Sequence, residues 1–161
     1  MSDTYVYDKS KYHMTGQPSG AASWEHASGT ALFFLHWCID QNLVSEYFIE
    51  ESRESFEDYR GGRCSLFHLY EKEWDMVLLS DMLSDEGNAF ALAYFEYDKG
   101  KYLQDFFVTL NSGKDGYIVY SEEDYLRFKP LLDSRYLAWK TGDLQAVRNV
   151  VPAKKWWQFW K

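Results

Sequence analysis

Four histidines, His13, His26, His36 and His68, and two cysteines, Cys38 and Cys64, are the residues from which a metal site or a nucleophile would be built. No two histidines have the HxH or HxxxH spacing that places a pair of imidazoles on one metal ion, and neither cysteine belongs to a CxxC. His26 and His36 fall on one predicted helix, but ten residues apart, about 15 Å along its axis. Cys38 lies in an apolar run and reads as a small buried hydrophobe rather than half of a disulfide. The chain has no GxSxG, no HExxH, no phosphate-cradling glycine loop and no calcium-loop pattern. These absences lower the expectation of catalysis without removing it, because catalytic groups also converge from distant positions. No catalytic residue, metal ligand or cofactor is assigned from the sequence.

Carboxylates are the stronger signal. Glu46, Glu50, Glu51, Glu54, Glu57 and Asp58 crowd the outer side of one predicted helix, faced only by Arg53 and Arg60. Asp81, Asp85 and Glu86 form a second cluster beside Gly87 and Asn88. One helix face rarely supplies the convergent geometry of general acid/base work or of a divalent-cation site. The plain reading is a solvated face in the first case and favourable helix-dipole charges in the second. The functional reading is a surface that attracts a basic partner and repels acidic ones. Glu50, Glu51, Glu54, Glu57 and Asp58, with Asp81, Asp85 and Glu86, are the candidate partner-binding residues.

The formal charge of −8 and a pI near 5.0 argue against direct nucleic-acid binding, which needs a surplus of Lys and Arg on some face. The segment Lys154-Lys-Trp-Trp-Gln-Phe-Trp-Lys161 mixes cations with large rings. It could pack on its own domain, meet a partner or touch a membrane surface. No secretory signal is visible, and the longest apolar segment, Ala31 to Ile39, is far shorter than the roughly 20 residues that span a bilayer. A cytoplasmic protein without stable membrane insertion is expected.

The elements that must position these residues read as helices. Trp24, Ala27, Ala31, Phe34, Leu35 and Cys38 recur at three- and four-residue steps from a start near Ser23, with Leu32, Phe33 and Ile39 widening the apolar face. Asn42 suits its exit, and Ser45 then caps a second helix reaching about Tyr59, ended by Gly61 and Gly62. A third helix is predicted from Ser65 to about Leu79, and a fourth from Ser84, carrying Phe90, Ala93 and Tyr94. Residues 102–110 read as helix, with a strand as the alternative for their end because of Val108 and Thr109. Tyr117 to Tyr120 is the one segment predicted to be extended. Ser121 starts a last helix that Pro130 should kink or split before Trp139. The expectation is a mainly α, single-domain helical bundle with a minor extended segment. It comprises an irregular lead-in over 1–22, a helical domain over 23–142 and a Trp- and Lys-rich tail over 143–161.

Several stretches carry a resemblance: Lys11-Tyr12, Phe34 to Asp40 on the Trp24 helix, Asn42 to Glu46, Glu86-Gly-Asn-Ala-Phe-Ala91, and Leu132 to Arg135 followed by Trp139. Across about residues 7–140 the chain resembles a family of small bacterial proteins encoded in variable accessory loci. These look like the immunity partners of toxin systems, which neutralise a cognate effector by occluding its active site or blocking its assembly. Cys38 and the Trp-rich tail depart from that pattern, and the resemblance transfers no catalytic residue. It implies an immunity-type protein that binds a toxin domain, with a nuclease as the leading class because nuclease active sites are cationic. The alternatives are a small metal-dependent hydrolase, which stoichiometric bound metal would reveal, and an adaptor or chaperone that works through the aromatic tail.

Overall fold

The computed structural model describes residues 3–14, 21, 23–111 and 117–148. Eight α-helices and one two-stranded sheet make up the regular structure among these residues, so the fold is mainly α as expected. In chain order they are β1 (Val6–Lys9), α1 (Ser10–Met14), α2 (Trp24–Asp40), α3 (Glu46–Glu51), α4 (Arg53–Arg60), α5 (Leu66–Trp74), β2 (Val77–Leu79), α6 (Asp85–Tyr94), α7 (Tyr102–Phe106) and α8 (Glu122–Lys140).

α2 is the central post. Ser23 accepts the His26 amide at its start, and every residue from Ala27 to Ile39 is buried, which is the signature of a helix surrounded on all sides. Its end is a Schellman turn: the Leu43 amide donates to Cys38 O at 2.8 Å and the Asn42 amide to Ile39 O at 3.1 Å, with Asn42 at φ 58°. α4 stops the same way, with Gly62 at φ 76° and the Arg63 amide on Asp58 O at 2.7 Å. The shell around α2 is aromatic. Phe34 meets Phe95 and Tyr102, Trp37 meets Phe90 and Tyr136, and Phe33 meets Phe106 and Phe128.

Several elements differ from the sequence expectation. The described part of 1–22 is not irregular: β1 and α1 lie there, and Tyr7 reaches the core. A bulge in the β1–β2 ladder, between the Val6–Leu79 and Asp8–Leu78 pairs, turns both Tyr7 and Asp8 inward. The third helix ends at Trp74, five residues early, because Asp75 and Met76 both take positive φ and reverse the chain into β2. β2 then satisfies the backbone of β1. The second helix is broken at buried Ser52, whose hydroxyl accepts the Trp74 indole N–H at 2.7 Å. α8 runs unbroken through Pro130, so the helix is not split there. The acceptor that the proline leaves unpaired is the carbonyl of Leu126, a residue 60% exposed, so water can take the lost bond. Residues 107–111 continue helically, as one wide π-type turn. Tyr117 to Tyr120 belong to no strand among the described residues.

Candidate functional site

Ser45, in extended backbone, accepts the Phe48 amide and starts α3, and Phe48 and Phe56 then turn one side of α3 and α4 onto Trp74. What remains outward is acidic. Glu50, Glu51, Glu54 and Glu57 are exposed, and none of their carboxylates has an ion-pair partner among the described residues. Asp58 differs: it is half-buried and accepts Arg63 Nε at 2.9 Å.

The second predicted cluster divides. Asp81, in the short turn Ser80–Met82, accepts the Thr4 hydroxyl at 2.9 Å, and Asp85 opens α6 behind the Ser84 cap. Both line one shallow depression of about 500 Å³ with Asp3, Tyr5, Tyr7 and Leu92. Glu86 has a different environment, accepting the Tyr136 hydroxyl and lying 3.6 Å from Lys140 Nζ, where it ties α6 to α8.

A cluster that sequence reasoning did not single out sits at the C-terminal ends of α2 and α4. His36 and Asp40, one turn apart on α2, lie with His36 Nε2 3.5 Å from Asp40 Oδ2. The Tyr125 hydroxyl donates to the same Oδ2 at 2.6 Å, its ring stacks on His36 at 3.6 Å, and the Tyr120 hydroxyl meets His36 Nδ1. Tyr59 of α4 stands edge-on to the imidazole at 6.3 Å. Above this cluster opens a cavity of about 350 Å³ lined by Ile39, Asp40, Tyr59, Arg60 and Glu122. Burial lowers the His36 pKa against the opposing pull of Asp40 and Glu122, so the ring is neutral at pH 7. Burial, then the charges of Glu122 and Asp40, pushes the Tyr59 hydroxyl up to about 12. Burial likewise raises Tyr120 and Tyr125, the latter helped by its bond to Asp40. Both imidazole nitrogens have partners and the phenols hold their protons. Tyr120 and Asp40 thus occupy the two imidazole nitrogens, and Tyr125 fixes the Asp40 carboxylate.

The other histidines are separate from this cluster. His13 Nε2 pairs with buried Asp8 at 2.8 Å, and His26 Nε2 donates to Tyr117 O at 2.7 Å, while His68 is exposed. No group of three metal-capable side chains forms among the described residues. Their helices include none long and apolar enough to cross a membrane. The Lys154 to Lys161 segment lies outside the described residues. The i, i+4 spacing of His36 and Asp40 was legible in the sequence. Their meeting with Tyr120 and Tyr125, more than 80 residues away, was not.

Comparison with known proteins finds no match among curated proteins and none among solved structures. A family model described as a domain of unknown function, DUF7832, matches residues 6–119, which takes in β1 through α7 with both predicted acidic clusters, and the chain belongs to that family.

Proposed function

We propose that the protein is an immunity-type inhibitor that binds a cognate bacterial toxin domain, with a nuclease as the leading class, in the cytoplasm of the cell it protects. The observation that carries this reading is the set of four glutamates without an ion-pair partner among the described residues, Glu50, Glu51, Glu54 and Glu57, on the outer side of α3 and α4. Charges left unneutralised at a surface cost self-repulsion and contribute little to folding, so their use lies in the field they project. A nuclease active site is cationic because it holds phosphate. An acidic face approaching it is steered by long-range attraction and can occupy the place of the nucleic acid. Asp81 and Asp85, in their aromatic-walled depression, form a second surface of the same sign.

The test is co-expression. The C-terminal domain encoded by the adjacent upstream gene is induced in a sensitive host with and without this protein, alongside a pull-down. Restored growth together with a stable complex supports inhibition. A neighbour that is harmless, or that is toxic yet neither bound nor neutralised, overturns the pairing.

A further inference from the structure

We infer that the cavity between Asp40, Tyr59 and Glu122 is a socket for one cationic side chain, an ammonium or a guanidinium, presented by the protein's partner. The inference rests on the macromolecule-binding reading above and supplies the anchor that an acidic helix face lacks. Charge alone on α3 and α4 would attract a partner without fixing its register.

Four features make the socket. The cavity, about 350 Å³, is of the size that takes a long side chain and is walled by Ile39 and the Tyr59 ring. Asp40 is held in place from behind, with both internal contacts on Oδ2, so that Oδ1 has no hydrogen-bond partner among the described residues. Glu122, at the start of α8, is exposed and has no partner among them either. Among the described residues Arg60 is the one cation lining the cavity, and it forms no ion pair with these carboxylates: its guanidinium rests over the Phe56 ring at 5.4 Å. Lys129, which also acts on His36, is engaged by Asp133 at 2.9 Å. Burial disfavours the protonated imidazole and so limits the charge that His36 sets against Asp40. The cavity thus joins an apolar wall, a phenol and two unneutralised carboxylates, which suits an aliphatic stem tipped by a cation.

The test needs no partner protein. N-acetyl-lysine methylamide, N-acetyl-arginine methylamide and the uncharged N-acetyl-norleucine methylamide are titrated into the full chain, with amide and aromatic NMR shifts as readout. One or both cationic probes should give saturable shifts centred on Ile39, Tyr59 and Glu122, and norleucine should give none. Asp40→Asn with Glu122→Gln should weaken the response by at least about fivefold, while Glu71→Gln, at an exposed glutamate of α5, should leave it unchanged. Should the double variant not fold, Glu122→Gln alone decides, since that exposed side chain makes no hydrogen bond or ion pair among the described residues. Shifts that do not saturate, that appear equally with norleucine, or that persist in the folded variants overturn the socket. Probe binding without rescue by co-expression overturns the toxin reading alone, and rescue without probe binding overturns the socket alone.

Discussion

Gly29 lies in the middle of α2, where intrinsic propensity favours alanine by about 1 kcal/mol. The packing says the opposite. A Cβ at Gly29 would stand 1.8 Å from the Ile118 carbonyl oxygen and 3.0 Å from its carbon, and both are backbone atoms that no rotamer change can move aside. Ordinary contact at about 3.5 Å requires residues 117–120 to retreat by about 1.7 Å. Overpacking of this kind costs about 1–3 kcal/mol. The same retreat strains the His26 bond to Tyr117 O and the Tyr120 bond to His36, each worth about 1 kcal/mol. Setting the helix gain against these losses, Gly29→Ala should destabilise the fold by about 2–4 kcal/mol. Urea denaturation followed by circular dichroism reads this as a lower midpoint at an unchanged slope. The ring resonances of His36 should shift as well, because Tyr120 moves with Ile118. A variant as stable as the parent, or more stable by the helix-propensity gain, would refute the close approach and the placement of Tyr120 that depends on it.

Replacing Glu50, Glu51, Glu54 and Glu57 by lysine should lower affinity for the toxin domain and flatten its salt dependence, measured by calorimetry across ionic strengths; unchanged values would remove the acidic face from the interface. Asp105 is buried and accepts two bonds from Arg135, at 2.8 and 3.0 Å, and one from the Tyr94 hydroxyl at 2.6 Å. Asp105→Asn should cost about 2–3 kcal/mol in denaturant titration, below the loss for a fully buried pair because the Arg135 side chain stays 23% exposed. His36 has a folded pKa below its unfolded one, and the titratable groups acting on it or packed against it are Asp40, Glu122, Lys129, Tyr59, Tyr120 and Tyr125. The unfolded chain therefore binds a proton that the folded chain refuses, and stability falls as pH drops below roughly 6.5, by at most about 1.4 kcal/mol per pH unit. Subtracting the pH profile of His36→Gln from that of the parent isolates this slope; a difference that is flat or rises toward acid contradicts the assignment.

The helices were legible where one local signal outweighed its surroundings. Ser23, Ser45, Ser84 and Ser121 each accept the amide three residues on, as their positions before apolar-periodic segments implied. The strands were not legible, because each is set by the other. Val77-Leu78-Leu79 continues the apolar rhythm of α5, and only the presence of β1, some seventy residues earlier, makes pairing better than another helical turn. The continuity of α8 through Pro130 was not legible for a related reason: the proline's cost depends on how exposed the turn at Leu126 is, which a sequence does not state. The acidic residues were found by composition, yet composition could not separate Asp81 and Asp85, which share a depression, from Glu86, which is taken up by Tyr136 and Lys140.

The family match ends at residue 119, but the packing does not. α8 buries Tyr125, Phe128 and Leu132, and Phe128 contacts Phe33, Tyr102 and Phe106, so the core built by α2 and α7 is left open without it. The Lys101 amide then donates to Val147 O at 2.8 Å, and Val147 is fully buried. The physical unit therefore runs from β1 to Val147. The cavity beside His36 crosses the same line: Ile39, Asp40, Tyr59 and Arg60 of its lining come from the matched region, whereas Glu122, and Tyr120 and Tyr125 that hold His36 and Asp40, come from the segment that follows it. A carboxylate on α2 becomes a defined acceptor only when two tyrosines from beyond the matched region fix it and its neighbouring imidazole. The acidic face of α3 and α4 needs no such completion. Under the proposed function, the acidic face would draw a partner in and the socket, completed by the segment after residue 119, would position it.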